Sequence, residues 1–136
     1  MTKMKKIIFL LMLAVSLSAN SIDWPHNYKE ALAKAKKENK VLYVLLTSDN
    51  CRWCRKFEAT TLQEEGVKQR LAKDFVVVHI SRDRDFVPEY FETTPVPRHY
   101  FVNGDGEILY ESLGHRGSEC FNAFMDNALE DYKVSK

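Results

Sequence analysis

The stretch Cys51-Arg52-Trp53-Cys54 follows an apolar run, Val41 to Leu46, and opens a segment, Arg55 to Thr61, of helical character. The apolar run is partly β-branched, which is typical of a strand that is buried on both faces. Two cysteines at this spacing can join their sulfurs across one turn at the start of a helix. The free N–H groups and the positive end of the dipole at a helix N-terminus favour a thiolate, which is the nucleophile of disulfide exchange.

The remaining sequence predicts helices and strands on both sides of this junction. Apolar residues recur at helical spacing in several segments, other apolar runs are short enough for strands, and Asn103-Gly104-Asp105-Gly106 is a strong hairpin turn. The predicted elements are a helix at 27–39, a strand at 41–46, helices from 55 and at 62–73, a strand at 75–80, one or two helical turns within 86–91, strands at 100–102 and 107–113, and a helix at 117–132. This order predicts an α/β fold with a mixed sheet of four to five strands and helices on both faces.

Composition limits the class of protein. The chain has 136 residues, of which 45% are hydrophobic and 29% charged, as expected for one soluble globular domain. Its net charge of +1 and the lack of a basic run in the sequence do not suggest a nucleic-acid partner.

The N-terminus has the pattern of a secretory signal peptide. Lys3, Lys5 and Lys6 form a basic region, Ile7 to Leu17 is apolar, and small residues follow up to Ser21. We therefore predict a signal peptide at residues 1–21, a mature domain at residues 22–136, and a periplasmic location; an uncleaved anchor helix is the alternative. Disulfides can form and persist outside the cytosol, so export suits redox cysteines.

With these elements in place, the sequence resembles the thioredoxin superfamily from about Tyr28 to Tyr132. The resemblance rests on the strand before Cys51-Arg52-Trp53-Cys54, on Thr94-Pro95-Val96-Pro97 before a strand, and on the terminal hairpin and helix. Residues 50–62 are most similar to the C-terminal periplasmic domain of the bacterial transmembrane thiol-disulfide interchange reductase, and also to small secreted thioredoxin-like proteins with a Cys-x-Trp-Cys motif. The resemblance implies a thioredoxin-like fold.

The resemblance also implies roles for individual residues. Cys51 would be the exposed nucleophile that forms a mixed disulfide with a partner, and Cys54 the buried thiol that resolves it. Pro97 matches the cis-proline of the family, with Pro95 as the competing candidate. A cis proline would turn the backbone of Val96 toward a bound peptide, so that the two can pair like strands.

The sequence departs from the family pattern at several positions. Leu45 stands where the family has a buried acid, so deprotonation of Cys54 would need water or another base, for which His79 is a candidate. Asn50 replaces the usual tryptophan and is a plausible N-cap. Arg52 adds positive charge beside Cys51 and should lower its pKa, and Trp53 offers a stacking surface for a partner.

These features together predict a periplasmic thiol-disulfide oxidoreductase, with a reductase or isomerase favoured over an oxidant. It would exchange disulfides through Cys51 and Cys54 and would bind substrate with Arg52, Trp53, Val96 and Pro97. We expect no cofactor, protein thiols and disulfides as substrates, a membrane or periplasmic redox partner, and a monomer.

Alternative interpretations of the cysteines remain open at this stage. Cys51 and Cys54 could form a structural disulfide, or could bind copper or zinc together with His79 or His99 as a metal chaperone. The domain could also be a docking module without catalysis. Cys120 is interpreted mainly as a small buried hydrophobe of the last helix, with a third thiol for pairing or regulation as the alternative.

Overall fold

The computed structural model describes residues 22–136, so the predicted signal peptide at 1–21 lies outside the described residues. The elements are α1 (Tyr28–Glu38), β1 (Val41–Thr47), α2 (Arg52–Ala59), a 3₁₀ turn (Thr61–Gln63), α3 (Glu65–Asp74), β2 (Phe75–Ser81), β3 (Arg98–Val102), β4 (Ile108–Leu113) and α4 (Ser118–Val134). Within this part of the chain, none of the helices is both long and apolar enough to cross a membrane.

The four strands form one mixed sheet in the order β2-β1-β3-β4. β1 pairs with β2 in parallel and with β3 antiparallel, and β4 pairs antiparallel with β3 as a hairpin. β1 is central, and all seven of its residues are buried, as its continuous apolar run predicts. The predicted α/β class and mixed sheet are therefore confirmed, with four strands.

Alternate residues of β1 support two separate cores. Leu42, Val44 and Leu46 point to a core that is covered by α1, which contributes Tyr28, Ala31 and Ala35. Val41, Tyr43 and Leu45 point to the opposite core, which is covered by α2, α3 and α4; these helices contribute Phe57, Val67, Leu71, Phe121, Met125 and Ala128. The helix that begins at the cysteines is thus anchored on one face of the sheet through Phe57.

The segment before α1 lies along the outer edge of β2. The backbone N–H of His79 donates to the carbonyl of Pro25 over 2.9 Å, and Nδ1 of His26 donates to the carbonyl of His79 over 2.7 Å. The same segment leads into the N-cap of α1, where the side chain of Asn27 accepts from the backbone N–H of Glu30.

The structure corrects several predicted boundaries. The helix predicted at 62–73 is a 3₁₀ turn followed by α3, because Glu64 adopts an extended conformation between them. The helical turns predicted within 86–91 do not form, since Pro88 has no N–H and only a single turn closes there, from the N–H of Phe91 to the carbonyl of Pro88. Phe91 instead stacks on Tyr100 at 4.1 Å between ring centroids.

Candidate functional site

The two cysteines of the quoted stretch are joined by a disulfide at the start of α2. Cys51 is the N-cap of the helix and Cys54 lies in its first turn, with 5.2 Å between their Cα atoms. The backbone N–H of Cys54 donates to the sulfur of Cys51 over 3.1 Å. The prediction that Asn50 is the N-cap is therefore wrong; Cys51 caps the helix, and its sulfur takes the position of a capping oxygen. A negative charge on this sulfur would be stabilised by the helix N-terminus.

The two sulfurs differ in their access to solvent. Cys51 is 8% exposed and Cys54 is 1% exposed. Cys51 is the more exposed of the two, as the roles of nucleophile and resolving thiol require. However, Cys51 is largely covered in the disulfide form, whereas the resemblance implied an exposed sulfur. The nearby surface is formed by Arg52, Trp53, Arg55 and Lys56, all of which are exposed.

Trp53 lies in a group of cationic and aromatic side chains. It is 49% exposed. The guanidinium of Arg52 lies 5.5 Å and the ammonium of Lys56 lies 5.1 Å from its ring centroid. The ring also stacks on His115, with 6.2 Å between centroids. The sequence predicted a stacking surface at Trp53, and the structure adds His115 to it.

Pro97 and Val96 lie at the end of the sheet that carries the cysteines. β3 begins at Arg98, which pairs with Leu46 near the end of β1, four residues before Asn50. The peptide bonds before Pro95 and Pro97 are both cis. Pro95 is exposed whereas Pro97 is buried, and the carbonyl of Pro97 accepts from the N–H of Gly114 over 2.8 Å. Among the described residues, the N–H and carbonyl of Val96 have no hydrogen-bond partner.

A partly buried carboxyl, which the sequence reasoning missed, lines the same cleft as Cys54. The side chain of Glu58 is 14% exposed, and its Oε1 lies 3.6 Å from Nδ1 of His79. Nε2 of His79 shares a 2.8 Å hydrogen bond with the hydroxyl of Thr47. These three residues and Cys54 line one cleft of about 420 Å³. Glu58 follows Cys54 by four residues, so both lie on one face of α2, and this spacing was a signal available in the sequence.

Burial sets the charges of this pair. Loss of solvent raises the pKa of Glu58 above its usual 4.5, an effect that the positive charge of Arg55 partly opposes. Loss of solvent lowers the pKa of His79 to about 4, and the neighbouring His26 adds to this effect. The imidazole of His79 is therefore neutral at pH 7, and its contact with Glu58 is not an ion pair at that pH.

The loop between β1 and α2 is held by the residues that follow β2. Oδ1 of Asp49 accepts from the hydroxyl of Ser81 over 2.7 Å and from Nε of Arg84 over 2.6 Å. The N–H of Asp49 donates to Oδ2 of Asp83 over 2.7 Å. The charged run at 82–85 thus fixes the segment that leads to Cys51.

The metal-binding alternative lacks a third ligand. His99 is fully buried, and its ring nitrogens bond to the hydroxyl of Tyr43 at 2.7 Å and to the carbonyl of Gly114 at 2.8 Å. His79 is engaged by Thr47 and Glu58. Within residues 22–136, no three His, Cys, Asp or Glu side chains come together as a group that could hold a metal ion.

Cys120 is exposed and not paired, so its interpretation as a buried hydrophobe is wrong. The buried face of α4 is formed by Phe121, Met125 and Ala128. Cys120 lies one residue, or about 100°, away from this face. Phe124, one helical turn beyond Cys120, is itself only partly buried.

Comparisons with known proteins agree with this geometry. Residues 23–104 match a family model described as thioredoxin-like. Human spermatogenesis-associated protein 20 is 36% identical over 64 residues, which are 47% of this chain and 8% of that protein. Mouse anterior gradient protein 3 is 28% identical over 105 residues, which are 75% of this chain and 62% of that protein. The chain therefore spans less than two thirds of either relative.

Solved structures share the fold at low sequence identity. A putative disulphide-isomerase from Bacteroides thetaiotaomicron superposes with a TM-score of 0.70 and 20% identity, over 82% of this chain and 96% of that one. The DsbH oxidoreductase gives 0.66 and 21%, over 88% and 92%. The oxidised C-terminal domain of DsbD from Neisseria meningitidis gives 0.62 and 20%, over 78% and 99%. The matched family model covers more than half of the chain, and the fold and the Cys51–Cys54 disulfide agree with it. This chain therefore belongs to the thioredoxin-like family.

Proposed function

We propose that this protein is a thiol-disulfide oxidoreductase that exchanges disulfides through Cys51 and Cys54. The observation that carries the proposal is the hydrogen bond from the N–H of Cys54 to the sulfur of Cys51 at the start of α2. A thiolate at this position would be stabilised by the same N–H and by the dipole of the helix. A purely structural disulfide would have no need of this placement.

The proposed reaction begins with the reduced pair. The thiolate of Cys51 attacks one sulfur of a substrate disulfide, forms a mixed disulfide and releases the other substrate sulfur as a thiolate. Cys54 then loses its proton and attacks the sulfur of Cys51, which closes the Cys51–Cys54 disulfide and releases the second substrate thiol. Two electrons pass from the pair to the substrate, and a dithiol reductant must return them before the next cycle.

Glu58 supplies a proton acceptor for the second step. Leu45 cannot accept the proton of Cys54, whereas the carboxylate of Glu58 lines the cleft behind that thiol. Its raised pKa makes the carboxylate a stronger base than an ordinary surface acid. The neutral imidazole of His79 lies beside Glu58, with 3.6 Å between Nδ1 and Oε1, and lines the same cleft.

Val96 and Pro97 would position the substrate. The N–H and carbonyl of Val96 have no partner among the described residues, so both are available to a strand-like peptide that lies across the cysteines. Arg52 and Trp53 would contact the same peptide from the other side of Cys51.

The setting completes the proposal. The predicted signal peptide at residues 1–21 would deliver a domain of residues 22–136 to the periplasm, where it would act as a monomer with a membrane or periplasmic redox partner. A reductase or isomerase role is favoured by the similarity of residues 50–62 to a reducing domain. The mass of the protein recovered from the periplasm tests the cleavage, which should leave Ile22 as the first residue.

Catalysis is tested by insulin reduction with dithiothreitol as the electron source. The wild-type protein should accelerate precipitation of the insulin chains, and Cys51→Ser should abolish the acceleration. Cys54→Ser should accumulate a mixed disulfide that a mass spectrum detects, and Cys120→Ser should keep full activity. Activity retained in Cys51→Ser would contradict the proposal.

The direction of electron flow is tested by the equilibrium potential of the pair against glutathione. A potential of about −270 mV would support a reductant, and a potential of about −120 mV would support an oxidant.

A further inference from the structure

The surface beside Cys51 carries a group of cations that have no acidic partner. We define the Trp53 patch as Arg52, Trp53, Lys56, His115 and Arg116. Arg52, Lys56 and Arg116 are exposed. None of the three forms an ion pair within residues 22–136, although seven pairs between charged side chains occur there.

The charge of the Trp53 patch differs from that of the domain around it. The first 21 residues contain three charged residues, all lysines, so residues 22–136 carry 17 basic and 19 acidic residues and a net charge of −2. The cations of the patch are therefore not part of a generally basic surface. Unpaired charges of one sign on a domain of the opposite net sign create a local potential that attracts a complementary partner.

The aromatic rings of the patch contact each other and the core. The rings of Trp53 and His115 are nearly parallel, at 18°. His115 in turn packs edge-on against the buried Phe57, with 6.1 Å between centroids. Nδ1 of His115 is buried and has no hydrogen-bond partner among the described residues. Trp53 thus stays half-exposed to solvent, beside the cationic ends of Arg52 and Lys56 and in contact with His115.

We propose that the Trp53 patch selects acidic polypeptide segments next to a disulfide. The inference rests on the proposed function, because it names the class of substrate on which Cys51 acts. Asp and Glu side chains of the substrate would pair with Arg52, Lys56 and Arg116, and an apolar or peptide group would cover Trp53. Because Arg52 and Trp53 directly follow Cys51, a segment bound there is within two or three residues of the sulfur under attack.

The first test measures binding without chemistry. It uses two peptides that differ only at three positions, which are Asp in one peptide and Lys in the other. Both peptides have Ser in place of their two cysteines. The side-chain N–H resonance of Trp53 and the ring resonances of His115 should shift with the acidic peptide and not with the basic one. Equal shifts, or none, would overturn the inference whether or not the protein proves to be a redox enzyme.

The second test measures reduction of the same two peptides with their cysteines restored as an internal disulfide. The reduced protein should open the acidic peptide about tenfold faster at low salt, and the ratio should fall toward one at about 0.5 M salt, where the screening length is only a few ångströms. The double variant Lys56→Glu/Arg116→Glu should reverse the ratio. A ratio near one in the wild-type protein would overturn the inference, whereas failure to open either peptide would overturn the proposed function alone.

Controls separate this patch from general electrostatics and from membranes. Lys37→Glu/Lys133→Glu makes the same change in net charge on the last turns of α1 and α4, and it should leave the ratio as in the wild-type protein. Vesicles with about 30% phosphatidylglycerol test the other anionic surface. Sedimentation of the protein with these vesicles, dependent on Lys56 and Arg116 and not displaced by the acidic peptide, would replace the inference with a membrane contact.

Discussion

The ring of Phe57 packs edge-on against the ring of His99, with 4.8 Å between their centroids. Phe57 lies three residues beyond Cys54 on α2, and His99 lies on β3 beneath it. Nε2 of His99 donates to the carbonyl of Gly114, so Nδ1 accepts from the hydroxyl of Tyr43 and the imidazole is neutral. The helix that carries the disulfide therefore rests on a buried, uncharged histidine.

This arrangement predicts a loss of stability in acid. Burial lowers the pKa of His99 from 6.5 to about 4, so between these values the unfolded chain binds a proton that the folded protein excludes. The free energy of unfolding should therefore fall as the pH drops from about 6.5 to 4, by about 3 kcal/mol from this residue. Denaturant titrations across this range check it, and His79 should contribute in the same direction.

The variant His99→Gln tests whether His99 causes this loss of stability in acid. It should be less stable than the wild-type protein at pH 7, and its free energy of unfolding should depend less on pH between 6.5 and 4. An unchanged dependence would mean that another group is responsible.

Replacement of Glu58 should slow the resolution of mixed disulfides. Glu58→Gln removes the base that accepts the proton of Cys54, and we expect the step to slow about 100-fold at pH 7, the lower end of what a positioned base contributes. The measurement is the release of thionitrobenzoate from a mixed disulfide with Cys51. The control Glu64→Gln changes an exposed carboxyl without an ion pair among the described residues and should leave the rate unchanged.

A second measurement on Glu58→Gln concerns stability. Because the pKa of Glu58 is raised, its contribution to stability is complete below about 4.5 and is lost as the pH rises through the folded value. The variant should lack this loss and gain stability relative to the wild-type protein as the pH rises to 7. An identical pH dependence in both proteins would show that the carboxyl is not desolvated.

The reduced protein should be alkylated first at Cys51. Iodoacetamide reacts with thiolates, and the N–H of Cys54 and the helix dipole favour a thiolate at the first position. We expect Cys51 to react at least about tenfold faster than Cys54 at pH 7, as measured by peptide mass spectrometry at several times. Equal rates would contradict the assigned roles.

Removal of the Asp49 side chain should loosen the loop that leads to Cys51. Asp49→Ala breaks the bonds to Ser81 and Arg84, so the amide hydrogens of residues 47–51 should exchange faster and the melting temperature should fall. Asn50→Ala is the matched control, because Asn50 is exposed and does not cap α2. A larger effect from Asn50 than from Asp49 would contradict this account.

Two glycine substitutions should have opposite signs. A Cβ at Gly104 would lie 2.8 Å from the backbone Cα of Lys36, so Gly104→Ala should cost about 1–3 kcal/mol in the free energy of unfolding. At Gly66, in the first turn of α3, no heavy atom lies within 4 Å of the added Cβ, and Gly66→Ala should stabilise by up to about 1 kcal/mol. Chemical denaturation measures both.

The strong local signals predicted most of this fold. The continuous apolar run at 41–46, the Asn103-Gly104-Asp105-Gly106 turn and the helical spacing of Phe121, Met125 and Ala128 each specify an element with little dependence on distant residues. The resemblance to thioredoxins added the position of Pro97.

The features that sequence reasoning missed depend on tertiary contacts. Asp49 needs Ser81 and Arg84, and His115 needs Trp53, from segments 32 or more residues away. Glu58 was missed because a charged residue on a helix is usually solvated, whereas this one is partly buried beside His79, which is 21 residues away in the sequence. The N-cap was misassigned because a sulfur took the place of a side-chain oxygen.

The segment at 22–26 has a consequence for solubility. β2 is an outer strand of the sheet, and an uncovered outer strand can recruit a strand from a second molecule. Pro25 and His26 bond to the backbone N–H and carbonyl of His79, so these two groups cannot pair with a strand of another molecule. A shortened protein that begins at Asn27 should accordingly self-associate at concentrations where the chain that begins at Ile22 stays dispersed.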